Sequence, residues 1–404
     1  MMRPEAQVDY RLKGSHPQLV WRVLLALAIA SLVLGLVFSF AGADDSEAWR
    51  QFKFSYVTSY ACYLSLSLGA LFFVLIQHSC NARWSVTVRR VSEAIMMNMG
   101  LMLVLLVPIL FWLPDLYHWA DAEHVAHDAL LQQKAPYLNI PFFLIRMGLY
   151  FVIWIGLSTY LYNRSVRQDE TGDYGLTQAM RRISPVGLIL FSLSLTYFAF
   201  DLLMSLDAHW YSTIFGVYYF SGAFMGALAF MILICIWVCS TGAVGRAINR
   251  EHFHDLGKLM FGMVVFWAYI AFSQLLLIWM GNIPEETVWY MHRYTGTWKG
   301  FSWFLLIGHF ILPFLYLLPR SVKRNQALLG IGALWMLAMH YLDMYYLAMP
   351  SFTHENVPFN IVDPALFIGM GCLFAAAVVW RLTRRHVVPI RDPYLAESLA
   401  FENF

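Results

Sequence analysis

Arg146, Asp201, His309, His340 and Asp343 are titratable side chains set in runs of sequence that are otherwise almost wholly apolar. Charged or imidazole groups cost free energy in hydrocarbon, so they are expected to face other protein, where they commonly mark ion or proton paths. His340 and Asp343 are three residues apart and share one face of a helix. A carboxylate beside an imidazole fixes its tautomer, an arrangement suited to accepting a proton and passing it on. Structural pairing is the plain alternative. Arg146 and Asp201 carry opposite charge in successive apolar runs, so a tethering ion pair is an equal reading for them. Ser194, Tyr197 and Asp201, at i, i+3 and i+7, are expected to share a face. His309 sits mid-run and reads as a core histidine or as a proton carrier. These groups gather in the same half of the layer their runs would cross, with His309 near its middle, where they could surround a common polar pocket.

A second set lies at the opposite ends. Glu93, Asp255, Lys258 and His78 are expected to provide entry groups at that surface, with Asn98, Ser273 and Gln274 further in. The two sets are about one helix length apart, so a continuous path between them needs internal water. The stretch from Asp255 to Glu286 shows the pattern best. Leu259 to Gly281 carries no charge and, at about 1.5 Å per residue, is long enough to cross a hydrocarbon layer of about 30 Å. Ser273 and Gln274 nevertheless put hydrogen-bonding groups inside it.

The elements that must position these residues follow from composition. The chain has 404 residues, 60% of them hydrophobic and 13% charged, against roughly 25% charge in soluble domains. The sequence therefore predicts an all-α integral membrane protein with ten transmembrane helices, at about 19–40, 58–77, 92–113, 137–162, 183–204, 214–240, 258–281, 299–318, 327–348 and 362–381. Ala41-Gly-Ala43 resembles a signal-peptidase site, but the first apolar run is too long for a signal core and reads as a retained helix. Of the 27 Lys and Arg, 21 fall in the N-terminal segment, the even-numbered connections and the tail, so both termini are expected in the cytoplasm. A net charge of +2 gives no basic patch for nucleic acid. Cys62, Cys80, Cys235, Cys239 and Cys372 form no C-x-x-C or C-x-x-C-H run, which predicts neither covalent haem nor an iron–sulfur cluster, and each is expected to pack as a small apolar side chain.

A faint repeat links spans 2–5 to spans 6–9. Trp112-Leu-Pro-Asp115 ends span 3 as Trp279-Met-Gly-Asn282 ends span 7, and Arg164-Ser-Val166 follows span 4 as Arg320-Ser-Val322 follows span 8. Asp201 and Asp343 sit at matching ends of spans 5 and 9. Two four-helix bundles in parallel orientation follow, with spans 1 and 10 flanking them. The expected divisions are 1–18, a cytoplasmic segment; 19–57, the first helix and outer loop; 58–204 and 205–348, the two bundles; and 349–404, the last helix and cytoplasmic tail. Gly222-x-x-x-Gly226 suggests close packing on span 6, and the tail after Arg385 is expected to dock on the cytoplasmic face.

Several stretches resemble the NrfD/PsrC-like membrane subunits of alternative complex III, a bacterial quinol:cytochrome c or quinol:oxidase oxidoreductase. They are Asp255-Leu-Gly-Lys-Leu-Met-Phe with Phe266-Trp-Ala-Tyr-Ile-Ala-Phe-Ser-Gln and Ile278-Trp-Met-Gly-Asn-Ile-Pro-Glu-Glu, Phe200-Asp-Leu-Leu-Met-Ser-Leu-Asp-Ala-His-Trp-Tyr, Tyr137-Leu-Asn-Ile-Pro-Phe-Phe-Leu-Ile-Arg146, Met339-His-Tyr-Leu-Asp-Met-Tyr-Tyr-Leu-Ala-Met-Pro350 and the tail from Asp392 to Asn403. Of the two such subunits, ActC and the shorter ActF, the length and tail are similar to ActF. The resemblance covers most of the chain from Tyr137 onward. It implies two four-helix bundles with flanking helices, location in the bacterial inner membrane, no prosthetic group and a quinol such as menaquinol as possible substrate. The implied partners are an ActC-like sister subunit, an iron–sulfur subunit, haem c subunits, membrane lipids and a terminal oxidase.

On this reading Asp201, His340 and Asp343 take protons from quinol, and Arg146 holds a carboxylate or polarises a quinone oxygen. Glu93, Asp255 and Lys258 begin an inner half-channel. Two alternatives stay open: a scaffold with no quinone or proton role, and a secondary transporter with a solute site at the membrane midplane.

Overall fold

The computed structural model describes residues 9–40 and 45–402. Arg3, the Ala41-Gly-Ala43 tripeptide, Asp44 and Asn403 lie outside the described residues. The described chain is helical and contains ten helices long and apolar enough to cross a membrane. We number them α1 (Ser15–Phe40), α2 (Glu47–Ser79), α3 (Val86–Phe111), α4 (Ile140–Thr171), α5 (Tyr174–Leu206), α6 (Phe215–Ser240), α7 (Arg250–Gly281), α8 (Trp298–Leu317), α9 (Gln326–Ser351) and α10 (Val362–Leu382). This is a multi-pass, all-α membrane protein. Inner and outer below follow the sides that the basic residues assign.

Local chemistry sets the helix ends. Asn139 caps α4 by accepting from the Phe142 amide, Asp173 caps α5, and Asn249 caps α7 while its own amide donates back to the His252 side chain. Asn282 ends α7 in the left-handed conformation. Several helices run past the apolar core of the sequence pattern. α2 continues about three turns outward through Trp49 to Thr58, a segment read from sequence as loop because it carries Arg50 and Lys53. Both charges find partners there: Lys53 donates to Asp115 at 2.6 Å, and Arg50 lies over the Phe54 and Phe352 rings.

α2 and α6 form the buried centre, each packed on several neighbours. They meet at Gly69, where a Cβ would collide with the Ala223 carbonyl and the Ala227 methyl. α2, α3, α4 and α5 pack in a ring, as do α6, α7, α8 and α9, and α1 lies along α10 at one flank. α8 departs from regular geometry. Leu306–Ile311 winds as a π-helix, just before Pro313, which has no amide to offer the turn above it. The Trp335 indole donates to the Gly308 carbonyl at 2.7 Å and secures the widened turn. Of the cysteines, Cys62 and Cys235 are buried and Cys239 and Cys372 half-buried; Cys80 is exposed in the turn after α2, so it does not pack as expected.

Candidate functional site

Each bundle holds a carboxylate with no exposure, and the two are held very differently. In the first, the Arg146 guanidinium donates from Nε and Nη2 to the two oxygens of Asp201, both at 2.8 Å. Its Nη1 donates to the Tyr137 carbonyl, and the Tyr150 hydroxyl donates to Asp201 at 2.8 Å. Arg146 also lies 3.9 Å from the Tyr137 ring centroid. This is the ion pair foreseen as the plain alternative, bidentate and fully satisfied. Ser194 faces inward with Asp201 and accepts the Trp154 indole, but Tyr197 is exposed and does not share that face. A seven-residue spacing returns to the same side of a helix more closely than a three-residue one, which explains the error.

In the second bundle Asp343 accepts the Tyr218 hydroxyl at 2.5 Å and the Trp267 indole N–H at 3.0 Å. No ion pair reaches it among the described residues. His340, one turn below on α9, is equally buried but turns the other way: its Nε2 meets Ser65 Oγ of α2 at 2.7 Å, and its Nδ1 has no partner among the described residues. The expected His340–Asp343 hydrogen bond is therefore absent. One face of α9 serves two neighbours, with His340 directed to α2 and Asp343 to α6 and α7.

Gly222 lies between them. A Cβ there would stand 3.0 Å from His340 Nδ1 and 3.6 Å from Asp343 Oδ2, and one at Gly226 would stand 2.8 Å from His340 Cδ2. The Gly222-x-x-x-Gly226 pair thus makes a flat shelf for the imidazole, which is close packing put to a specific use. His309, in the π turn, stacks on the Trp267 ring at 3.8 Å between centroids, and neither of its ring nitrogens has a partner among the described residues.

Tyr218 and Trp267, the two groups that hold Asp343, also line a cavity of about 400 Å³ toward the outer end of α7. Gln274, Trp289, Tyr290 and Tyr346 complete its inner wall. Gln274 donates to the Tyr290 hydroxyl at 3.2 Å and accepts from Ser212 at 3.1 Å. The cavity's other lining residues include Phe272, Trp303 and Leu306, which are exposed on the apolar surface of α7 and α8. Its mouth therefore opens sideways toward lipid, and its walls are aromatic with a few hydrogen-bonding groups, as is usual for sites that take small apolar ligands. Beneath it Arg293 is buried against the Trp289 ring and donates to the carbonyls of Trp289, Tyr346 and Leu347. Burial pushes its guanidinium down to about 10.

The inner groups separate. Gln274 belongs to the outer cavity, not to an inner path, and half-buried Ser273 does not line that cavity. Asp255 pairs with Lys258 at the inner end of α7. Glu93 is fully buried between Arg89 and Arg90, each 3.3 Å away. Asn98 donates to the Phe374 carbonyl at 3.0 Å and ties α3 to α10.

Sequence reasoning missed Tyr218, Trp267, Ser65, Tyr150 and Tyr290, which are of types common throughout the chain. It also missed Asp363, buried at the start of α10, where it accepts from Ser55, from the Asn360 amide at 2.9 Å and from Tyr345. The dipeptide Asp363-Pro364 opening a helix was the available signal for that residue. No protein-family model matches the sequence, and comparison with curated proteins gives no match. The geometry therefore carries the functional reading.

Proposed function

We propose that this protein is a membrane subunit of a respiratory quinol-oxidising complex of the alternative complex III type, and that its second bundle handles quinol and the protons quinol releases. One observation carries the reading: a fully buried carboxyl, Asp343, is held only by neutral donors that are themselves the wall of an aromatic cavity open to lipid. Quinol oxidation yields a quinone, two electrons and two protons. The electrons leave to an acceptor in a neighbouring iron–sulfur subunit; the protons need a base near the ring oxygens.

A ring entering from the bilayer would stack among Trp267, Trp289 and Tyr290, with Tyr218 and Gln274 in reach of its oxygens. Tyr218 can accept a proton from a quinol oxygen while its own passes to Asp343, a two-bond relay that leaves the phenol neutral. Protonation of Asp343 removes a charge that no cation balances, which is why the carboxyl suits the role.

The test is Asp343→Asn in the assembled complex, reading quinol turnover and protons released per electron. Loss of a general base predicts a fall of about a hundredfold in turnover, or fewer protons per electron where turnover persists. Unchanged turnover with unchanged stoichiometry would overturn the reading. A scaffold role without quinone or protons is the second reading, and the closed Arg146–Asp201 pair favours it for the first bundle, where the guanidinium and the Tyr150 hydroxyl together satisfy the buried carboxylate.

A further inference from the structure

Arg293 ends the short outer helix Pro284–Arg293 between α7 and α8, and it is only 2% exposed. Its guanidinium donates to main-chain carbonyls alone: Nη1 to Trp289 at 3.0 Å, and Nε to Tyr346 and Nη2 to Leu347, both at 3.1 Å. The cation lies 3.4 Å from the Trp289 ring centroid and 5.2 Å from that of Tyr346. Trp210 stacks on the same Trp289 ring at 4.6 Å, which fixes the indole and the cation against it.

Among the described residues no carboxylate pairs with this cation; Asp207, in the outer loop, acts on it from beyond ion-pair distance. Its other ionisable neighbours are the phenols Tyr218, Tyr290 and Tyr346, and outside it the His292 ring stacks on His354 at 4.0 Å. A neutral amide would cap the same carbonyls, whereas a buried charge costs far more to take out of water. Burial weakens the hold of Arg293 on its proton, yet the group stays charged at neutral pH. Trp289, Tyr290 and Tyr346 line the 400 Å³ cavity, so one layer of rings separates the charge from the space within. Asp343 stands behind Tyr218 and Trp267. The cavity therefore has a carboxyl behind one wall and a guanidinium behind another.

We propose that Arg293 is a positioning residue whose fixed charge makes this cavity prefer a ring with an ionised oxygen, the class of quinol anions and acidic hydroxyquinones. It rests on the reading of the cavity as a quinol site. When a quinol hydroxyl gives its proton to Tyr218 and Asp343, the oxygen keeps the bonding pair and a full negative charge until the electrons leave to their acceptor. Asp343 is neutral at that point, and the cation behind Trp289 and Tyr346 is what holds the anion. Across about 8–10 Å, at an effective dielectric constant of about 20, such a charge favours the anion about tenfold or more. The neutral quinone that follows gains nothing comparable, so the product is not retained.

The experiment titrates the full-length chain in lipid nanodiscs with two naphthoquinones, read by quenching of tryptophan fluorescence, since Trp267 and Trp289 line the cavity. Menadione is neutral; lawsone, which carries a hydroxyl on the quinone ring, is an anion at neutral pH. Wild type should bind both. Arg293→Gln should weaken lawsone about tenfold and leave menadione within about twofold, and Arg293→Lys, which keeps the charge, should restore most of the lawsone affinity. In wild type the visible band of the lawsone anion should persist to a pH about one unit lower than in empty nanodiscs. An unchanged or raised midpoint overturns the proposal even where Arg293→Gln does not fold. Parallel loss of both quinones in the Gln and Lys variants marks a helix cap alone and overturns it too. If menadione binds and lawsone is indifferent to Arg293→Gln, the quinol site stands and Arg293 loses its role; if wild type binds neither, both readings fall.

Discussion

Asp201 and Asp343 occupy matching ends of α5 and α9, yet one is closed and the other is poised. Asp201 receives two bonds from a guanidinium and one from a phenol, so its charge is paid back where it sits. Asp343 receives one phenol and one indole, and both donors form the wall of a cavity. Each ring of four helices thus buries an acid near the same end of one helix, in different company. The lesson is that depth in the membrane does not by itself assign a role to a carboxyl; its counter-charge does.

The comparison can be broken first at Arg146. Arg146→Ala leaves Asp201 buried without its cation and should destabilise the protein by about 3–5 kcal/mol, read as a large fall in thermal midpoint in detergent. Adding Asp201→Asn to that variant should recover much of the loss; no recovery would mean that the pair is not the source. Next in size is Gly222→Ala, whose methyl must push aside His340 or Asp343 and should cost about 1–3 kcal/mol, with a larger proportional loss of turnover than of stability. Tyr218→Phe should cost about 1.5–3 kcal/mol when Asp343 is ionised and less when it is neutral, so its effect on the thermal midpoint should shrink in acid. The smallest stability change is expected from Asp343→Asn, under about 1.5 kcal/mol, because no ion pair is broken. Equal destabilisation by Asp343→Asn and Arg146→Ala would erase the contrast between the bundles.

The sequence made the ten spans and five of the interior titratable groups legible, for one reason: an ionisable residue in an apolar run must be turned inward; Asp363, at the edge of its run, escaped that test. The sequence could not show what each would meet. Asp343 and its partners Tyr218 and Trp267 are 125 and 76 residues apart, and Ser65 is 275 residues from His340. In a chain with 22 Tyr and 15 Trp, residue type alone cannot single out the partners. Gln274 was assigned to the wrong end because its polarity was visible and its neighbours Ser212 and Tyr290 were not. Tyr197 was taken as inward-facing from spacing, although a phenol at the outer end of a helix is comfortable at the membrane surface.

The near contact of α2 and α6 at Gly69 has a mechanical corollary. Backbone lies against backbone at Gly69, and beside it the Phe72 ring wedges against Phe220 and Phe224, so rocking one half against the other would have to break an interlocked seam. Any switching between the two faces of the membrane must then be small in scale, a matter of turning rings and rearranged water inside a stationary frame.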